Sequence, residues 1–387
     1  MIYLDNSATT RQYDEVTKIM LRYMEEDFGN PSSLYQLGVD AEKALKKARR
    51  QMEQAIGAGE GKIFFTSGGT EADNMAVLGA VRSLKRSGNK IITSKVEHPA
   101  VLECFKRLER EGLDVVYIGV DRKCRLDREA LESAIDDKTI LVSLMHVNNE
   151  SGTLMPLEEA KAIMKRKKAP GVLHCDAVQS FGKMKAPTCA DMISISGHKL
   201  HGPKGTGALF IKKGLNIPAL MEGGGQEEGK RSGTQNVPAI VGMGLAAQMA
   251  YDTLGEDMER MEVLRDKLCQ GLLSEVGDIV INSPEQAGIL PGQCCPSLLN
   301  VTFLGTRGEV LLHTLEQDGI YVSTGSACSS NKKGQSHVLK AMGLKDKEIE
   351  GTLRFSLGKL NTESEMEMTV NKTAEAVKMF RRLGSFR

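Results

Sequence analysis

Met192-Ile193-Ser194-Ile195-Ser196-Gly197-His198-Lys199-Leu200-His201-Gly202-Pro203-Lys204-Gly205 decides how the chain is read. Its first five residues are a short apolar run that stops at Ser-Gly and gives way to a Gly/Pro loop. That pattern predicts a strand over 192–196 with a turn behind it. Similar β-branched or apolar runs stand upstream at 62–66, 90–94, 114–118, 139–146 and 172–176, and downstream at 208–211. Several are apolar on consecutive residues, as strands buried on both faces are. Amphipathic stretches at 70–87, 99–110 and 156–167 lie between them. Strand–helix alternation of this kind predicts an α/β fold with an open, mostly parallel sheet flanked by helices.

Beyond 211 the pattern changes. A Gly-rich loop at 222–226 precedes a long helical stretch over 238–276. The remainder mixes strands and helices, with candidates at 298–303, 309–318 and 353–357 and a charged helix at 364–382. We expect a large domain over 13–255 and a smaller α+β domain built from 1–12 and 256–387, a division suited to 387 residues. A hydrophobic content of 41% is enough for a sizeable core. Lys+Arg at 51 against Asp+Glu at 50 leaves a net charge of +1, which argues against nucleic acid as a partner. Trp is absent and aromatics make up 4%, so base-stacking platforms are not expected either. The start, Met1-Ile2-Tyr3-Leu4-Asp5-Asn6, has no basic region followed by a long apolar run, so no signal peptide is expected. The longest apolar stretch, 237–250, is too short to span a bilayer. The expectation is a soluble cytoplasmic protein whose eight scattered cysteines, with no CxxC pair, are reduced and hold no metal.

Lys199 follows the strand at 192–196 beside Gly197 and His198. A lysine held there can form a Schiff base with a carbonyl cofactor, and burial makes it a nucleophile and base. Alone, it reads more readily as one of the chain's many solvated lysines. Asp176 closes the strand at 172–176, at the edge where open α/β sheets place ligands. A pyridoxal ring needs a carboxylate at its pyridine nitrogen to act as an electron sink; alone, Asp176 could be a helix cap. Thr66-Ser67-Gly68-Gly69-Thr70-Glu71 follows a strand and opens a helix, a place for phosphate on backbone N–H groups and the Thr70 hydroxyl. Glycines such as Gly69 let the backbone approach closely. His98 follows the strand at 90–94, where an imidazole can stack on a flat ring and move protons. These four motifs follow four different strands, all at the expected carboxyl edge.

In order, these motifs resemble the cysteine desulfurase family, NifS/IscS type, among the class V aminotransferase-fold enzymes that use pyridoxal 5'-phosphate. Further stretches carry the resemblance: Tyr3-Leu4-Asp5-Asn6-Ser7-Ala8-Thr9-Thr10, Phe28-Gly29-Asn30-Pro31-Ser32-Ser33, Asn148-Asn149-Glu150-Ser151-Gly152, Arg231-Ser232-Gly233-Thr234, Gly325-Ser326-Ala327-Cys328 and Leu353-Arg354-Phe355-Ser356-Leu357-Gly358. It runs from residue 3 to about 370. It implies fold type I. It implies that Lys199 carries the cofactor, that Asp176 pairs with the pyridine nitrogen, that Gln179 reaches the ring hydroxyl and that His98 stacks on the ring. Thr70, Ser196 and His198 would hold the phosphate, with Thr234 reaching in from a second subunit of a homodimer. Asn149 and Arg354 would hold the substrate carboxylate.

Cys328 separates this reaction from transamination. It stands in a small, polar, Gly-containing stretch, 323–335, that reads as a mobile loop near lysines. The resemblance makes it the cysteine that takes sulfur from L-cysteine as a persulfide, releases alanine, and passes sulfur to a protein acceptor in iron–sulfur cluster assembly or another thiolation. Alternatives are an aminotransferase or a selenocysteine lyase of the same fold, or a non-catalytic sulfur-transfer platform. Two departures from the family stand out. Arg11 follows Thr10 where proline is usual. Asn331-Lys332-Lys333-Gly334-Gln335 is more basic than the usual stretch, which bears on the acceptor.

Overall fold

A computed structural model describes residues 1–284, 294–325 and 335–384. A seven-stranded sheet has the spatial order Gly61–Thr66, Gly207–Lys212, Met192–Ser196, Val172–Asp176, Thr139–Met145, Lys90–Ser94 and Asp114–Ile118. Only Gly207–Lys212 runs antiparallel to its neighbours. The other pairings between neighbours are parallel. The carboxyl ends of the strands closing at Thr66, Ser94, Met145, Asp176 and Ser196 therefore share one edge. The sheet is covered on both faces, as its consecutive apolar residues require. Every residue of Thr139–Met145 is buried. Ile63, Phe65, Ile92, Val142, Leu144, Leu173 and Ile193 face one cluster. Phe64, Ile91, Leu141, Met192 and Leu209 face the other, under the helix Gly69–Leu84. The alternation between the two clusters is the period of two of a pleated strand.

A second sheet has the order Thr352–Ser356, Leu298–Phe303, Ile279–Ile281 and is antiparallel throughout. It packs Leu299, Val301, Phe303, Leu353 and Phe355 against Leu264, Leu268 and Leu272 of the helix Leu254–Glu275 and against Met366, Val370 and Val377 of Glu363–Arg382. Ile2 and Leu4 join this cluster, and Ile2–Tyr3 pairs with Ile320–Tyr321. The N-terminal strand thus lies with C-terminal elements, and the residues after it cross to the large sheet.

Three details differ from the sequence reading. The stretch over 238–276 is two helices, Val237–Asp252 and Leu254–Glu275, broken at Thr253. Two further helices, Asp14–Glu25 and Gln36–Ile56, stand where the sequence reading placed no element. In the first only Val16 is buried. In the second the buried stripe is largely alanine: Ala41, Ala44 and Ala48 with Leu45, Met52 and Ile56. No helix among the described residues is long and apolar enough to cross a membrane.

Candidate active site

The connection between Met192–Ser196 and Gly207–Lys212 carries Lys199. The Gly197 N–H donates to the Thr206 carbonyl at 2.9 Å and closes the base of this loop. Gly205 provides a turn at φ +73°, in the left-handed region glycine favours. Lys199 is buried, and its ammonium donates to the Ser7 carbonyl and, at 2.8 Å, to that of Ala8. The Gln179 amide donates to the same Ser7 carbonyl at 2.9 Å. Ser7 is fixed from the small sheet, its N–H donating to the Ser356 hydroxyl at 2.9 Å. The N-terminal segment therefore holds Lys199 and Gln179 together.

A cavity of about 260 Å³ opens at this point, lined by Ala8, Gly69, Thr70, Asp73, His98, Met145, Val147, Asn149, Asp176, Val178, Gln179, Ser196, His198 and Lys199. Residues from five different strand ends meet there. A second hollow adjoins it, lined by Thr9, Ser67, Gly68, Gly69, Thr70, Glu71, Ser196, His198, Lys204 and Gly205. Gly69 and Thr70 begin the helix Gly69–Leu84, whose first N–H groups and positive dipole end suit an anion. A Cβ on Gly69 would lie 2.7 Å from Val178 Cγ2 and 3.4 Å from Ser196 Cβ, so only glycine fits that contact. His198 bonds through Nδ1 to the Thr9 hydroxyl at 3.1 Å. Burial, with Lys199 and Lys204 nearby, pushes its imidazole down to about 4.

Asp176 lies at the floor. Its Oδ1 accepts from the Val178 N–H at 2.9 Å. Burial raises its carboxyl, while His98 and Lys199 favour its charge. Two more buried carboxyls stand close by. Asp73 leaves Oδ1 without a partner, and burial and the Asp176 charge push its carboxyl far up. Glu97 accepts from the Ser94 hydroxyl at 2.6 Å through Oε1, leaves Oε2 unpartnered, and is pushed up to about 8 by burial. His174 bridges the Ser143 and Ser194 hydroxyls at 2.8 and 2.9 Å and is held neutral by burial, at about 3. Carboxyls crowded in a dry site cannot all ionise. Asp176 faces the two basic groups and keeps the negative charge; Asp73 takes the proton.

His98 caps the helix Pro99–Arg110. Its Nδ1 accepts from the Ala100 N–H at 3.2 Å, so the neutral ring carries its proton on Nε2. Burial lowers its basicity, against Asp176, which raises it. Arg354 is nearly fully buried on the strand Thr352–Ser356. It donates to Asp5 Oδ1 at 2.7 Å and to the Asn149 carbonyl at 2.9 Å, and its Nε has no partner. It is joined to the cavity through Asn149. Thr234 is exposed and lines neither hollow. Its loop is tied to the helix of Gly69 by Arg231, whose Nε donates to Glu71 at 2.9 Å. Cys328 lies outside the described residues. Asp73, Asp5 and Glu150 have places at the site that no motif assigned; the spacing of Asp73, one turn after Thr70, was the available signal.

The residues fit a flat, phosphorylated, aldehyde-bearing pyridine. A lysine amine stands in a cavity with a carboxylate on its floor, an imidazole on its wall and an anion cradle at one end. The orphaned oxygen of Asp73 and the glycine-only contact at Gly69 show a surface shaped for a polar, closely fitting group.

The family described as aminotransferase class-V matches residues 2–368. A cysteine desulfurase IscS of Clostridium botulinum (strain Hall / ATCC 3502 / NCTC 13319 / Type A) is 41% identical over 385 residues, spanning 99% of this chain and 96% of that protein. A solved NifS-like protein superposes with a TM-score of 0.88 at 38% identity, covering 98% of this chain and 99% of that one. A structure described as SspA in complex with cysteine has a TM-score of 0.79 at 30% identity, covering 94% and 100%.

Proposed function

Because the chain belongs to the class-V aminotransferase family, and within it to the cysteine desulfurases, we propose that Lys199, Asp176, Arg354 and Cys328 divide one reaction among them. The protein is a pyridoxal-phosphate-dependent enzyme that converts L-cysteine to L-alanine and takes up the sulfur. The observation that carries the reading is the convergence of Lys199, His98 and Asp176 on one buried cavity beside the Gly69–Thr70 helix start.

Pyridoxal phosphate, when bound, supplies an electron sink for the pair left on the substrate's α-carbon. Gly69, Thr70, Ser196 and His198 would hold its phosphate, Asp176 would face its pyridine nitrogen, Gln179 its ring hydroxyl and His98 its face. Lys199 would hold its aldehyde carbon, and the Lys199 amine would take the proton from the substrate's α-carbon. Arg354 and Asn149 hold the substrate carboxylate. His98, neutral with its proton on Nε2, moves protons at the reacting sulfur. The Cys328 thiolate attacks that sulfur; the carbon–sulfur bond breaks and a sulfur–sulfur bond forms. The three-carbon fragment keeps the electron pair, takes a proton and leaves as alanine. L-cysteine and one thiol thus become L-alanine and one persulfide.

Leu21, Met24, Phe28, Leu34, Tyr35 and Leu37 are exposed apolar side chains between positions 21 and 37, Leu34 at 98%. Exposed apolar surface of this kind suits a protein contact. It supports a homodimer in which Thr234 completes the neighbour's phosphate site. The cluster of Ile2 and Leu4 with residues between 264 and 377 supports a small domain built from 1–12 and 256–387, while Val338, Leu339, Met342, Leu344 and Ile349 of that range pack into the core of the large sheet. A cytoplasmic location fits the seven described cysteines, all free. The acceptor is a protein thiol or scaffold, in iron–sulfur assembly or another thiolation.

The test adds L-cysteine and a thiol reductant to the purified yellow enzyme and measures alanine and sulfide, with Cys328→Ala alongside. Equal alanine and sulfide from the wild type and neither from the variant are expected. Alanine or sulfide unchanged in the variant would remove Cys328 from the reaction.

A further inference from the structure

Asn148-Asn149-Glu150-Ser151-Gly152 leaves the strand Thr139–Met145 and turns back at once. Asn148 builds the turn. Its Oδ1 accepts from the N–H groups of Glu150 at 3.0 Å and Ser151 at 2.9 Å, and its Nδ2 donates to the Val96 carbonyl at 3.1 Å. Short polar side chains bonded to nearby backbone in this way fix a turn. The next two residues serve different places. Asn149 lines the cavity and gives its carbonyl to Arg354. Glu150 is buried, 4% exposed, and its Oε2 accepts from the Ser336 hydroxyl at 2.6 Å.

Ser336 is itself buried and caps the helix His337–Ala341, its hydroxyl oxygen accepting from the Leu339 N–H at 3.1 Å. On the other side, a Cβ on Gly325 would lie 2.9 Å from the same Oε2 of Glu150. Gly325 has φ +82° and its N–H donates to the Ser323 hydroxyl at 3.1 Å. Ser323 and Arg354 exchange backbone hydrogen bonds. One carboxyl oxygen therefore bonds to Ser336, near one end of 326–334, and occupies the space a side chain at Gly325, at the other end, would need, and the residue before it lines the cavity. Burial pushes this carboxyl up to about 7, against the Ser336 hydroxyl and Arg354, which favour its charge. A buried carboxyl is costly unless it is bonded, and the Ser336 hydroxyl supplies that bond.

We propose that Glu150 is a positioning residue: by holding Ser336 and backing Gly325, it fixes both flanks of the Cys328 segment relative to the Asn149 turn, and so governs sulfur transfer without governing cofactor or cysteine binding. This rests on the reading that Cys328 receives the sulfur.

The test uses the full-length, cofactor-loaded enzyme with Glu150→Ala, Glu150→Gln, Ser336→Ala, Glu150→Ala with Ser336→Ala, and Cys328→Ala. Two quantities are read: the cofactor absorbance change as L-cysteine is titrated, and the rate of alanine formation in a single turnover without reductant. For Glu150→Ala the titration midpoint stays within about twofold while the single-turnover rate falls at least about tenfold, the scale of one buried charge-assisted hydrogen bond. Glu150→Gln, which still offers Ser336 a carbonyl, stays within about threefold. Adding Ser336→Ala to Glu150→Ala costs less than Ser336→Ala costs in the wild type, since the bond between the two is already gone and only the helix cap is left to lose. If Glu150→Ala fails to fold, Ser336→Ala decides: the rate falls at least about threefold with the titration unchanged. A wild-type rate in Glu150→Ala, a titration that weakens in step with the rate, or a glutamine variant as slow as the alanine one overturns the proposal. Wild-type alanine release by Cys328→Ala sinks instead the reading on which it rests.

Discussion

Asp176 and Arg354 are both nearly fully buried and both carry charge, yet they are held in opposite ways. Asp176 stands in a crowd of its own kind, with Asp73 and Glu97 close enough to oppose its ionisation. Its charge survives because its neighbours take protons and because His98 and Lys199 face it. Arg354 stands against an opposite charge, Asp5, at 2.7 Å, and against the carbonyl of Asn149. On the proposed roles, the first arrangement would fix a charge for a cofactor ring nitrogen, and the second is a pair that an incoming carboxylate could share. One wall would then serve a resident group and the other a visitor. The large sheet supplies the first from its strand ends; the small sheet and the N-terminal segment supply the second.

The comparison can be broken most sharply at its centre. Lys199→Ala should lower alanine formation at least about 10³-fold, because it removes both the attachment point and the base. A residual rate within tenfold of wild type would make another residue the base. On the resident wall, Asp176→Asn should slow turnover by about 10²-fold and weaken cofactor retention, whereas Asp73→Asn, which mimics a carboxyl already protonated, should stay within about threefold. Cofactor absorbance and turnover of the two variants decide this. Equal losses would show that the charge is shared and that Asp73 is not the proton holder. On the visitor's wall, Arg354→Lys should raise KM by about 10- to 100-fold with a smaller change in kcat, since a lysine cannot reproduce the planar fork. A loss confined to kcat would take Arg354 out of substrate binding.

The smallest effect is on stability. The Glu97 carboxyl stands at about 8 in the folded protein against 4.5 ordinarily. Between those values the folded state holds a proton that the unfolded chain has released, so this group's stabilisation is full below about 4.5 and is lost as pH rises towards 8. His174 works the other way, but only below 6.5, and equally in wild type and variant. Thermal scans should show the wild type losing about 2–5 °C relative to Glu97→Gln between pH 5 and 8. A constant difference would mean that Glu97 is ionised throughout.

Much of the frame was legible because buried strands announce themselves by apolar runs. The ranges 90–94, 114–118, 172–176, 192–196 and 298–303 coincide with strands of the structure, and 99–110 with a helix. The helix Gln36–Ile56 was not read although its apolar side chains share one face: Leu45, Met52 and Ile56 stand far apart among charged residues, and alanine fills the buried positions Ala41, Ala44 and Ala48. At the site, nine motif residues (Gly69, Thr70, His98, Asn149, Asp176, Gln179, Ser196, His198 and Lys199) line one cavity. Each closes or follows a strand, and a shared carboxyl edge brings strand ends together. Asp5, Asp73 and Glu150 act through partners more than a hundred residues away, Arg354, Asp176 and Ser336, and apart from the placement of Asp73 one turn after Thr70 local pattern carries no trace of such pairings.

The most direct measurement is mass spectrometry of the enzyme after one equivalent of L-cysteine in the absence of reductant. The account predicts one added sulfur, about 32 Da, on the peptide containing Cys328 and on none of the other seven cysteines, in step with alanine release. Alanine released with no such addition, or with the sulfur on Cys294 or another cysteine, would contradict it.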